Sequence, residues 1–293
     1  MLLKEAYHQL QSGLITIYDN REAGVIADWI MEEITTWTKS QRIIHQDYHL
    51  TLEQETQFLN FKDEILEGKP LQYVLGYSWF KGHRFKVNEN VLIPRPETEE
   101  LVASIIHFSK DKEGISNVPF RALDIGTGSG CIAISLQREF PDWEVWAIDK
   151  SETALAIATQ NATELNAKIN FRELDVLNDK HNQHLPSFNL IVSNPPYIPN
   201  EDKHEMTAQV LEHEPHMALF VTNNDPLQFY KAIISFCEQH LIRGGTVWFE
   251  THMLYAEDVA ELMKLNDYID VNIQKDFQGK DRIVSGTRSG ASL

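Results

Sequence analysis

Ala122-Leu123-Asp124-Ile125-Gly126-Thr127-Gly128-Ser129-Gly130 is an apolar start followed at once by three glycines at alternate positions, with Ile132, Ile134 and Leu136 of a helical pattern coming next. Read in order, this is a strand, a glycine loop and a helix. Glycine tolerates φ > 0 and lets the backbone approach a ligand closely, while the start of a helix offers unpaired N–H groups and the positive end of a dipole. The spacing is G-x-G-x-G, not the dinucleotide G-x-G-x-x-G, and many tight turns share it. Its meaning depends on Asp149, roughly 20 residues further on, at the end of the strand pattern Val145-Trp146-Ala147-Ile148, where a carboxylate can accept from ribose hydroxyls. Gly126, Thr127, Gly128, Ser129, Gly130 and Asp149 together describe a site for a nucleoside-bearing cofactor.

The pattern on either side repeats the same grammar. Residues 97–108, 132–140, 151–165 and 227–241 read as helices, and 122–125, 145–148, 169–174, 188–192 and 246–249 as strands. Such alternation predicts an α/β fold with a doubly wound, mainly parallel sheet. Ligands in such sheets bind beyond the carboxyl ends of the strands. The glycine loop, Asp149 and Asn194 are expected to converge there.

Upstream the texture changes. Asp19-x-x-Glu22 reads as a capping box, and Val25, Trp29, Ile30, Ile34 and Trp37 as the apolar stripe of the helix it opens. A second stripe, Phe58, Phe61, Ile65 and Leu66, runs up to the stop Gly68-Lys69-Pro70. Residues from Tyr73 to Val91 alternate, with Gly76 and Lys81-Gly82 as turn signals, which suggests a hairpin. The expected division is a small helical domain over 1–70, a hairpin linker over 71–95 and a sheet domain over 96–293.

Asn194-Pro195-Pro196-Tyr197 follows Leu190-Ile191-Val192, where a buried strand would end. Two prolines remove two backbone donors and fix two φ angles, and the first drives Asn194 towards extended backbone. The carbonyls remain. A stiff segment with carbonyl oxygens, an Asn side chain and an aromatic ring is suited to accepting hydrogen bonds from a planar NH2 group. Asn194 and Pro195 are the candidate catalytic pair, with Pro196 and Tyr197 completing the substrate-binding set. Tyr197 fits a core aromatic as readily as a substrate contact.

The glycine loop, the acidic strand end and N-P-P-Y resemble the methyltransferases that use S-adenosylmethionine to modify planar amino groups. More narrowly, Leu71-Gln72-Tyr73-Val74-Leu75-Gly76, Val91-Leu92-Ile93-Pro94-Arg95-Pro96-Glu97-Thr98-Glu99, Glu214-Pro215, Phe229-Tyr230 and Gly279-Lys280-Asp281-Arg282-Ile283-Val284 resemble the HemK/PrmC family. The resemblance runs from about residue 70 to the C-terminus, and I-P-R-P-E-T-E combined with N-P-P-Y is its most specific part. It implies a seven-stranded, Rossmann-like methyltransferase sheet. It further implies methyl transfer from S-adenosylmethionine, leaving S-adenosylhomocysteine, to the N5 amide of the glutamine in the Gly-Gly-Gln loop of peptide chain release factors. Substrate recognition would fall to the helical domain. Three departures stand out: the segment 220–226 is longer than usual and lacks glycine, Thr251-His252 follow Glu250, and Val176 stands where some members set an aromatic ring against the adenine. Val176 can cover the base by apolar contact alone.

Bulk properties add limits. At 293 residues, with roughly 150 per domain as a guide, two domains are expected, and 42% apolar residues are enough for packed cores. A net charge of −17 argues against an extended grip on nucleic acid, because phosphate neutralisation needs a basic face. No DNA-binding and no membrane-embedded role is expected: no window approaches the ~20 apolar residues a bilayer needs. Met1-Leu2-Leu3-Lys4-Glu5 lacks a signal-peptide pattern, so the expected location is the cytoplasm. Cys131 and Cys237 read as buried thiols in helices. His204, His213 and His216 lie near acidic residues, but their spacing matches no metal pattern. An N6-adenine or N4-cytosine nucleic-acid methyltransferase would use the same tetrapeptide on a flipped base, and an inactive cofactor-binding module would keep the same loop.

Overall fold

The computed structural model describes residues 1–110, 119–178, 185–221 and 225–290. Part of the glycine-free segment 220–226 lies outside them. The chain forms two compact units, Met1–Tyr77 with Thr207–His213, and Ser78–Met206 with Glu214–Leu293.

The first unit is helical: α1 (Leu3–Leu14), α2 (Asn20–Thr35), α3 (Lys39–Ile44), α4 (Leu52–Leu66) and α5 (Leu71–Leu75). Asp19 caps α2 by accepting from the backbone N–H groups of Arg21 and Glu22; this is the acceptor half of the expected capping box. The apolar stripe of α2 differs from the sequence reading. Val25 and Trp29 are exposed, while Ala23, Ile26, Ala27, Ile30, Met31 and Ile34 are buried, because small alanines turn towards the neighbouring helices. The expected hairpin is also shorter at its start, since 71–75 is the helix α5, ended by Gly76 in the left-handed region at φ 77°. A short helix from late in the chain, Ala208–His213, belongs to this unit, where Gln209 donates to the Tyr18 hydroxyl.

The second unit opens with the two-stranded sheet β1 (Tyr77–Phe80) and β2 (His83–Lys86), turned by Lys81 and Gly82 at positive φ. Then come α6 (Pro96–Lys110), β3 (Arg121–Ile125), α7 (Cys131–Glu139), β4 (Glu144–Asp149), α8 (Glu152–Glu164), β5 (Ile169–Glu173) and β6 (Phe188–Ser193). After a short bridge of β7 (Ile198–Pro199) with β8 (Phe220–Val221), the helix α9 (Ala208–His213) that belongs to the first unit, and α10 (His216–Leu219), the series resumes. It continues with α11 (Gln228–His240), β9 (Leu241–Glu250), α12 (Ala256–Leu265), β10 (Tyr268–Lys275) and β11 (Asp281–Arg288).

The large sheet has seven strands in the order β10-β11-β9-β6-β3-β4-β5. Pairings from β9 through β5 are parallel, and β11 runs antiparallel between β10 and β9. Alternate residues of each central strand feed opposite cores. Leu123, Ile191, Val247 and Phe249 pack with Tyr230, Ile233 and Phe236 of α11 and Val259 and Met263 of α12. Ala122, Leu190, Val192 and Trp248 pack with Leu101, Val102 and Ile105 of α6 and with α7. Near-continuous apolar strands follow from burial on both faces. Strand order reverses between β3 and β6, so a crevice must open beyond their carboxyl ends. Among the described residues no helix is long and apolar enough to cross a membrane. Cys131 and Cys237 are both free and buried, and burial pushes each thiol up to about 12.

Candidate active site

The crevice is a cleft lined at the strand ends by Gly126, Gly128, Asp149, Ser193, Asn194 and Pro195. The glycine loop has three positive-φ glycines: Gly126 at 75°, Gly128 at 54° and Gly130 at 82°. They divide the labour. A Cβ at Gly126 or Gly128 would meet nothing within 4 Å, so both leave room over the cleft. A Cβ at Gly130 would lie 2.9 Å from Ile134 and 3.2 Å from Ala158, so this glycine lets α7 and α8 pack.

Thr127 and Ser129 are buried and do not line the cleft. The Thr127 hydroxyl donates to Asp124 Oδ2 at 2.6 Å, and the Ser129 carbonyl accepts from Asn161 Nδ2 at 2.8 Å. Both hold the loop from beneath. Asp124 also accepts from the Ala133 backbone N–H at 3.3 Å, in the first turn of α7, where the helix dipole favours negative charge. Burial still pushes its carboxyl up to about 7, tempered by these two hydrogen bonds.

Asp149, the last residue of β4, accepts from Gly128 N and Ser151 N, each at 2.9 Å. Its carboxylate therefore fixes the glycine loop, and each oxygen keeps a second lone-pair direction for a ligand. Burial raises its carboxyl above the ordinary range, against the hydrogen bonds from Ser151, Gly128 and Lys150. Val176 is buried in the cleft wall beside Leu174. Sequence reasoning gave no site role to further wall residues: Asn90, Val91 and Leu92 before the I-P-R-P segment, Met217 and Ala218 on α10, and Phe229 and Ile233 on α11. Val91-Leu92 and Phe229 belong to segments that carry the family resemblance, which was the available signal.

A second, smaller cleft adjoins the first and is lined by Arg95, Tyr197, Ile198, Met206 and Leu219. Leu92, Asn194, Pro195 and Ala218 line both clefts. Asn194 and Pro195 thus form a shared wall. Arg95 at its edge is held by the buried Glu214 at 2.5 Å.

Asn194 Nδ2 donates to Thr98 Oγ1 at 3.1 Å, and Thr98 Oγ1 donates to Glu250 Oε2 at 2.6 Å. Tyr197, half-buried against the sheet core, donates its hydroxyl to Glu250 Oε1 at 3.4 Å, and its ring lies 6.0 Å from that of His252. Its phenol is raised above the usual range by burial and by the Glu250 charge. Glu250 is 1% exposed, and burial pushes its carboxyl up to about 7, tempered by the Thr98 hydrogen bond and the Arg282 charge. Pro196 lines the first cleft.

A family model described as "Methyltransferase small domain" matches residues 113–222, and one described as "PrmC N-terminal domain" matches residues 2–76. A protein of Bacteroides thetaiotaomicron named release factor glutamine methyltransferase is 44% identical over 243 residues, covering 83% of this chain and 84% of that one. Its namesake in Flavobacterium psychrophilum is 39% identical over 285 residues, covering 97% and 98%. Among solved structures, the hMettl16 catalytic domain in complex with MAT2A 3'UTR hairpin 1 aligns with a TM-score of 0.53 at 18% identity, covering 82% of this chain and 81% of that one. At that identity the likeness concerns the fold alone.

Proposed function

Because the chain belongs to the release factor glutamine methyltransferase family, we propose that it methylates the N5 amide of the glutamine in the Gly-Gly-Gln motif of peptide chain release factors, using S-adenosylmethionine, in the cytoplasm. The observation that carries this reading is the wall shared by two clefts, with Asn194 and Pro195 facing both.

The larger cleft suits the cofactor. Gly126 and Gly128 leave the space that close backbone approach requires, Asp149 offers acceptor lone pairs to ribose hydroxyls, and Val176 gives the adenine an apolar surface. When bound there, S-adenosylmethionine supplies an electrophilic methyl group on a sulfonium.

The smaller cleft suits the acceptor amide. An amide nitrogen shares its lone pair with its carbonyl and attacks reluctantly, so it must be held and polarised. Asn194 Oδ1 and the Pro195 carbonyl accept its two N–H hydrogens and fix its orientation. Their dipoles stabilise positive charge as it grows on nitrogen, and need no reorganisation because two prolines stiffen the segment. Pro196 supports that backbone, and Tyr197 presents a ring to the same cleft. The helical first unit would recognise the release factor. With a net charge of −17, direct DNA binding has no support.

Incubation with S-adenosylmethionine labelled in its methyl group, and with release factor or oligonucleotides as acceptor, tests the reading. Label is expected on the release factor glutamine. Label on nucleic acid, or on neither acceptor, would overturn it.

A further inference from the structure

Asn194 can accept from a substrate NH2 group only if its own amide is turned the right way round. Its two ends are nearly the same shape and opposite in polarity, so a backbone stiffened by prolines does not decide which end faces the acceptor cleft. Something must select the rotamer, and the selection has to come from hydrogen-bond direction.

We propose that Thr98 and Glu250 are positioning residues that lock the Asn194 amide with Oδ1 presented to the substrate. The argument runs from the carboxylate outward. Glu250 closes β9, beside Asn194 at the end of β6, because Ser193 and Phe249 are register partners. In its ionised form, which prevails above about pH 7, its Oε2 takes the Thr98 hydroxyl at 2.6 Å and its Oε1 takes the Tyr197 hydroxyl at 3.4 Å, so both oxygens act as acceptors. A hydroxyl carries one proton. With that proton committed to Glu250, Thr98 Oγ1 can only accept from Asn194, and the group it accepts from must be the NH2 end. The opposite end, Oδ1, is then the one left for a substrate. Thr98 is 3% exposed and Glu250 1%, so water does not compete for these bonds. One carboxylate therefore holds both ends of the N-P-P-Y segment, Asn194 through Thr98 and Tyr197 directly. Thr98 sits in the first turn of α6, as the threonine of I-P-R-P-E-T-E, which gives that motif a function at the acceptor amide.

The inference rests on the proposed role of Asn194, and a double-mutant cycle separates the two. Single-turnover methyl transfer to whole release factor is measured above about pH 8, where Glu250 is ionised, with cofactor saturating in T98V, T98S, N194A and the double variant, and with cofactor affinity by calorimetry alongside. T98V keeps the side-chain shape and removes the hydroxyl. It is expected to slow transfer about 10-fold, through misorientation of the amide, with cofactor affinity within about 2-fold of wild type. T98S restores the hydroxyl and the rate. Because Thr98 acts through Asn194, T98V adds nothing in the N194A background. E250D, which keeps the charge but withdraws the carboxylate from Thr98, provides the second test should T98V fold poorly. It is expected to slow transfer at least as much, and the part of its loss that persists in the N194A background is the part that runs through Tyr197. Wild-type transfer by T98V or E250D, or a T98V loss that adds to that of N194A, would overturn the positioning role. Wild-type transfer by N194A would instead overturn the acceptor role itself.

Discussion

At the scale of single residues, the two buried carboxyls that bind the glycine loop, Asp124 and Asp149, do different jobs. Asp124 is buried under the loop and bound to Thr127 and Ala133, whereas Asp149 reaches the cleft while bracing Gly128 and Ser151. Losing Asp149 removes a charged acceptor as well as a brace. D149A is expected to weaken S-adenosylmethionine binding by about 1.5–3 kcal/mol, the usual worth of a hydrogen bond to an ionised group. Calorimetric titration measures it, and unchanged affinity would take Asp149 out of the site. Asn194 is expected to act on rate more than on affinity. Removing one preorganised polar contact at a reacting centre costs about 10²–10³ in rate, and N194A should lose that much in saturated single turnover.

At the scale of elements, the sheet was legible because burial on both faces leaves apolar strands of the right length between helical patterns. The place of Asp149 in the cleft was legible because an acidic residue ends the strand that follows the glycine loop. The stripe of α2 was misread because large side chains were taken for the core face, whereas Ala23 and Ala27 occupy it and Trp29 faces outward. Small residues mark close helix contact and leave little trace in a hydropathy count. The partnership of Thr98 with Glu250 spans 152 residues and has no spacing to betray it. Nor does any periodicity tell that Thr207–His213 joins the first unit. The glycine loop was legible as a turn between strand and helix at the cleft, but its internal division was not: the three glycines look alike until their neighbours are seen. That division is testable. G130A places a Cβ against Ile134 and Ala158 at φ 82° and should cost about 2–4 kcal/mol of stability, from overpacking plus a left-handed backbone. G128A meets no neighbour and should cost about 1–2 kcal/mol while weakening cofactor binding. Denaturant midpoints and calorimetry on both variants compare them, and equal stability losses would contradict the assignment.

At the scale of the whole molecule, the second unit buries two carboxyl groups whose protonation is linked to folding. Asp124 rises from 3.8 to about 7 and Glu250 from 4.5 to about 7, in each case chiefly through burial. Between those limits the folded chain binds more protons than the unfolded one, so stability falls as pH rises. The favourable contribution is complete below the ordinary carboxylate range and is lost as pH passes through about 7. Self-repulsion at a net charge of −17 pulls the same way, so the slope of the wild type alone does not identify its source. Replacing one buried group does. E250Q cannot titrate, and it leaves the surface charges as they are. Denaturant unfolding at pH 5.5, 6.5 and 7.5 should show the wild type losing more stability than E250Q over that span, by an amount of order 1–3 kcal/mol. The difference should vanish above about pH 8, where Glu250 is ionised in both states and the curves run parallel. Identical pH slopes for the two proteins from 5.5 to 7.5 would mean that Glu250 is already charged in the folded protein at the lower pH. The Arg282 charge and the hydrogen bonds from Thr98 and Tyr197 would then outweigh the cost of burying it.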